Sequence, residues 1–107
     1  MTDIVVVGSV NLDLSATVAR LPAPGETITG ATLSRVPGGK GANQALAARR
    51  LGTDVQLVAC VGADAAAGEA LALLLEGGVG RAHLQGLPEY PPGLALICGA
   101  PGGEYQI

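Results

Sequence analysis

Two short stretches combine residue types that could bind a small polar ligand. The run Gly38-Gly39-Lys40-Gly41-Ala42-Asn43-Gln44 joins small residues, which let the backbone approach a ligand, to two side-chain donors, Lys40 and Asn43, at the start of a predicted helix. Such a site suits hydroxyls or anions. It is not a Walker A loop, because Ser34 stands where that pattern needs its first glycine and Gly41 follows Lys40 where Ser or Thr is required. The alternative is a glycine-rich connection with a solvated lysine.

The second stretch, Gly8-Ser9-Val10-Asn11-Leu12-Asp13, follows a predicted strand, where ligands bind in open α/β sheets. Asn11 and Asp13 are two residues apart, so an extended chain points both the same way. A carboxylate beside an amide suits a vicinal diol, since the charged acceptor can take two hydroxyl protons in charge-assisted bonds. An Asx turn closing the strand is the competing reading. Gly8 lacks the further glycines of Gly-x-Gly-x-x-Gly, which disfavours a dinucleotide-binding domain.

The elements that would position these residues follow from pattern. Ile4 to Val7 is a continuous β-branched run, which predicts a central strand covered on both faces. From Leu14 to Val36 the chain is broken by Pro22, Pro24, Gly25 and Gly30, and Thr27-Ile28-Thr29 and Thr32-Leu33-Ser34 alternate as half-exposed antiparallel strands do. The glycine loop then feeds a helix over Ala42 to Leu51, with Gly52 placed for a left-handed cap. Arg49 and Arg50 fall in its last turn, where cations offset the helix dipole.

A second buried strand is predicted over Val55 to Val61, and a second helix over Ala65 to Glu76, capped by Asp64 and ended by Gly77-Gly78. A short strand near Arg81 to Leu84 precedes a connection, Leu87 to Gly93, rich in rigid turn residues. Leu94 to Cys98 and Glu104 to Ile107 read as a hairpin whose second arm is cut short, which predicts a chain that continues. The order β, small β insertion, α, β, α implies an α/β sheet.

Composition narrows the class. The chain has 107 residues, 49% of them hydrophobic, enough for one small domain or part of one. No apolar run approaches the roughly 20 residues of a membrane span, and the stretch before Gly8 has no basic leader, so a soluble, cytoplasmic protein with no membrane partner is expected. The net charge is -3, and the six basic residues form no stripe with interleaved aromatics, which argues against nucleic acid. Cys60 and Cys98 lie in apolar runs without metal-ligand or redox spacing, so buried, reduced thiols are expected in place of a disulfide or zinc site. His83, the single histidine, reads as an exposed surface residue.

The two clusters and their spacing resemble the ribokinase branch of the PfkB carbohydrate kinases. The resemblance covers the whole chain: Val-Val-Gly-Ser-x-Asn-x-Asp at Val6 to Asp13, Pro-Ala-Pro-Gly-Glu-Thr at Pro22 to Thr27, the lysine-containing run at Gly38 to Ala45, and Ala-Cys-Val-Gly-x-Asp at Ala59 to Asp64. It implies the N-terminal part of a three-layer α/β/α sheet with a small β-sheet lid, the lid strands lying about 14–36 and 94–107. It also implies that Asn11 and Asp13 hold the sugar hydroxyls, that Gly38, Gly39, Lys40, Gly41 and Asn43 close round the same sugar, and that lid strands pair two subunits into a homo-oligomer.

The implied activity is transfer of the γ-phosphoryl of Mg-ATP to a hydroxymethyl oxygen of a pentose, ribose before fructose, nucleosides or deoxyribose. The family's Asp-Thr-x-Gly-Ala-Gly-Asp segment, with the catalytic base and anion hole, would lie beyond Ile107, as would the nucleotide site and the site for a monovalent cation, potassium. No catalytic, cofactor or metal residue is therefore assigned within these 107 residues, and phosphoryl transfer by them alone is not expected. Two departures touch the lid: Pro92 replaces a small polar residue, and Gly80-Arg81-Ala82 replaces a Val-Asp-x-Thr pattern. A rival class is a non-catalytic interaction module that uses its lid strands to recruit a partner sheet.

Overall fold

The computed structural model describes residues 2–89 and 93–107. The readings placed on Tyr90, Pro91 and Pro92 lie outside the described residues. Strand β1 (Ile4–Val7) leads into β2 (Asn11–Thr17) and β3 (Thr32–Gly38), then helix α1 (Lys40–Arg50), β4 (Val55–Val61), α2 (Ala65–Glu76), β5 (Leu84–Gly86), β6 (Gly93–Gly99) and β7 (Tyr105–Gln106).

These strands form two sheets. One is parallel, in the order β1-β4-β5, and the other is mixed, in the order β3-β2-β6-β7. In the parallel sheet Ile4 is paired with Val55 and Val7 with Val58. Along β4 the alternate residues Val55, Leu57 and Ala59 are buried and pack with Ala42 and Ala45 of α1 and Ala70 and Leu74 of α2, so both helices cover one face. Val10 and Leu12 join the same core, which ties the base of the mixed sheet to the α/β body. Leu12, Leu57 and Val55 are its largest fully buried side chains, each worth about 1.5–3 kcal/mol on removal from water.

Local chemistry explains the element ends. The Asp64 carboxylate accepts the Ala67 N–H at 3.0 Å and caps α2 as its sequence position predicts. At the other helix, Leu51 and Gly52 close α1, with Gly52 at φ 97 and both Arg49 and Arg50 in the last turn. No helix among the described residues is long and apolar enough to cross a membrane.

Three expectations are corrected. The run Ile4 to Val7 is an edge strand among the described residues, not a central one, and Val5 and Val7 are 58% and 78% exposed on the face away from α1 and α2. Its apolar pattern is suited to a partner that the described residues do not supply. The segment 27–29 forms no strand, although β3 is an edge strand of the mixed sheet among the described residues. Finally, the strands of the mixed sheet run further toward the glycine clusters than 14–36, since β2 begins at Asn11 and β3 ends at Gly38.

Candidate functional site

Asn11 and Asp13 lie on β2, not in a turn. The alternation of a strand turns both to one face while Leu12, 1% exposed, turns into the core. The extended geometry excludes the Asx-turn reading and leaves two half-buried polar side chains on a common face.

Neighbouring strands frame them. Asn11 lies opposite Gly38 on β3 and Gly93 on β6, while Asp13 lies opposite Val36 and Ala95. The Asp13 carboxylate leans diagonally over Gly38: a Cβ there would stand 2.7 Å from Asp13 Oδ1. Gly38 is thus needed for room above it. On the same face lie Ser15, Ser34, Thr17 and Thr32 together with Val36, Ala95 and Ile97, whereas the reverse carries Leu12, Leu14, Ala16, Leu33 and Leu96 beside Arg35.

Three further glycines bring the start of α1 to Asn11. No loop separates β3 from α1, contrary to expectation; the single residue Gly39, at φ 102, turns the strand into the helix. A Cβ on Gly39 would meet the Ser9 carbonyl oxygen at 2.6 Å and the Asn11 nitrogen at 2.9 Å. Gly41 and Gly8 are in backbone contact, a Cβ on Gly41 falling 2.7 Å from the Gly8 α-carbon, and the Ala42 N–H donates to the Ser9 carbonyl at 3.0 Å. The first turn of α1 is therefore pressed against the β1–β2 junction, with its positive dipole end beside Asn11.

Lys40 and Asn43 occupy that first turn and are exposed. A cation at a helix N-terminus opposes the macrodipole, so helix stability does not explain Lys40. Asn43 stands on the rim of a small crevice lined also by Pro37, Leu46, Leu73 and Leu74. The structure thus sets Gly38 under the Asp13 carboxylate and Gly39 against the backbone of Ser9 and Asn11, packs Gly41 on Gly8, and places Lys40 and Asn43 on the adjoining turn.

The sequence reading missed the bidentate pair between Arg35 on β3 and Glu69 on α2, at 2.9 and 3.1 Å, because no local pattern links residues so far apart in the chain. It also misplaced the thiols. Cys60 is exposed and Cys98 half-buried, because Cys60 alternates out of phase with Leu57 and Ala59 and so faces away from the helices; both are free. His83 is exposed, as expected. Among the described residues no three His, Cys, Asp or Glu side chains converge as metal ligands.

Comparison with known proteins bears on the family and the fold. The family model described as pfkB family carbohydrate kinase matches residues 1–107. The chain is 41% identical to the ribokinase of Bacillus subtilis over 95% of its own length and 35% of that protein's. Among solved structures, it superposes on a ribokinase from Cryptococcus neoformans in complex with ADP at a TM-score of 0.87, with 36% identity, covering 99% of this chain and 33% of that one. The Arabidopsis thaliana ribokinase complexed with ribose and ATP gives a TM-score of 0.82, 34% identity, and coverage of 95% and 33%. The chain spans about a third of the length of these relatives. On the family match over the whole chain, borne out by the α/β fold and by relatives at this identity, the chain belongs to the pfkB family of carbohydrate kinases.

Proposed function

We propose that this chain forms the sugar-binding part of an ATP-dependent kinase that converts ribose to ribose 5-phosphate. The observation that carries the reading is the placement of the Asn11 amide and Asp13 carboxylate on one face of β2, with the N-terminus of α1 packed against it. Asp13 accepts protons from a vicinal diol, Asn11 both donates and accepts, and Lys40 and Asn43 close over the sugar from the first turn of α1. Gly38, Gly39 and Gly41 serve by letting these backbones and side chains meet. Ribose is preferred to fructose, deoxyribose or a nucleoside because the names borne by several relatives favour it.

In this reading the mixed sheet is the lid over the sugar, and its reverse face, with exposed Leu33 and Leu96 beside Leu14 and Cys98, supports pairing of two copies. Mg-ATP is the phosphoryl donor. Neither the nucleotide, a potassium ion nor the catalytic base is assigned to the described residues, and no step is routed through them. The test is release of ADP on adding ribose to the full-length protein containing this sequence, with the 107-residue chain alone as the comparison. The reading expects turnover in the first and none in the second; ribose-independent ADP release in the first would overturn it.

A further inference from the structure

The glycines around the site divide by what a side chain at each would strike. At Gly8, Gly39 and Gly41 a Cβ would meet backbone atoms at 2.6–2.8 Å, so these glycines are needed by the fold itself. Gly93 is of another kind. It is the register partner of Asn11 across the parallel β2–β6 pair, and a Cβ there would overlap the Asn11 side-chain oxygen and stand 3.0 Å from its Cγ. The nearest backbone atom, the Val10 carbonyl oxygen, is at an ordinary 3.6 Å.

Gly93 is the first residue of β6 and pairs with β2. What the missing Cβ supplies at Gly93 is space for one amide. Asn11 leans toward β6 over Gly93 while Asp13 leans toward β3 over Gly38, so the two polar groups diverge and leave β2 as the floor between them.

We propose that Gly93 is a positioning residue for the sugar site, acting through Asn11: by carrying no side chain it fixes the rotamer from which the Asn11 amide meets a sugar hydroxyl. The inference rests on the assignment of Asn11 to the sugar. Because the obstruction is the free end of a side chain, an added methyl group displaces that amide and leaves the strands in place. The consequence is a loss of ligand affinity with little loss of stability.

A double-mutant cycle on the full-length protein containing this sequence, read by calorimetric titration of ribose, tests the idea. Gly93→Ala and Asn11→Ala should each weaken ribose binding by about threefold to tenfold, the scale of one net hydrogen bond. The double variant should bind no worse than Asn11→Ala, since Gly93 acts only through that side chain. Effects that multiply in the double variant, or a Gly93→Ala protein with unchanged affinity beside a weakened Asn11→Ala protein, would overturn the role of Gly93. An Asn11→Ala protein with unchanged affinity would instead sink the sugar assignment on which the inference depends. Should Gly93→Ala lower the melting temperature, adding Asn11→Ala should restore it; failure to do so also overturns the proposal.

Discussion

Arg35 on β3 donates two hydrogen bonds to the Glu69 carboxylate on α2, at 2.9 and 3.1 Å, and so ties the mixed sheet to a helix of the α/β body. The pair is about half exposed, with side chains 51% and 44% accessible, so solvent and salt screen it. Arg35→Ala is expected to lower the melting temperature slightly at low salt and not at all in concentrated salt. Thermal melts at the two ionic strengths check this, and a loss of equal size in both would show that Arg35 acts by packing instead.

Two glycine substitutions should move stability in opposite directions. Gly41→Ala places a methyl group 2.7 Å from the Gly8 backbone, where nothing flexible can give way, and should cost about 1–3 kcal/mol. Gly68→Ala, on an exposed position of α2 with nothing within 4 Å, should stabilise by about 0.4–1 kcal/mol by restricting the unfolded chain. Denaturant titrations of the two variants report both signs.

The elements legible in the sequence are those whose signals are local. β4 and α2 have the predicted bounds, because buried β-branched residues, a capping aspartate and a terminal glycine pair act within a few residues of each other. β1 was found but misplaced in the sheet, since whether Val5 and Val7 are covered depends on neighbours remote in the chain. The strand character of Asn11 and Asp13 was conditional for the same reason: it is fixed by β3 on one side and β6 on the other. The spaces above Gly38 and Gly93 could not be read in advance, because a glycine that makes room looks the same in sequence as one that makes a turn.

The loop between β2 and β3 should respond to acid. The Arg20 guanidinium, and after it the Ala23 N–H, hold the Glu26 carboxyl below its ordinary value. A depressed carboxyl pKa contributes its stabilisation above the unfolded value and loses it as pH falls through the folded one. The Ala23 amide resonance should therefore stay fixed at neutral pH and shift only at a pH below the usual glutamate range. The pair lies on the surface, which keeps the effect local, so a global loss of structure at that pH would contradict this account.

Exposed apolar surface should drive self-association of the 107-residue chain. Val5 and Val7 on β1, and Leu33 and Leu96 on the reverse of the mixed sheet, are 58%, 78%, 64% and 66% exposed. Burying such side chains stabilises by about 1.5–3 kcal/mol each, which favours dimers or larger species. Light scattering behind a sizing column over a dilution series should show mass above the monomer; a compact monomer with a cooperative melt at every concentration would contradict it.

The assignment of the polar face of β2 to sugar is tested most directly by Asp13→Asn in the full-length protein containing this sequence. The substitution keeps the shape and removes the charged acceptor, so ribose affinity should fall by about 1.5–3 kcal/mol, roughly tenfold or more, with nucleotide affinity unchanged. Unchanged ribose affinity, or a loss confined to the nucleotide, would contradict the account.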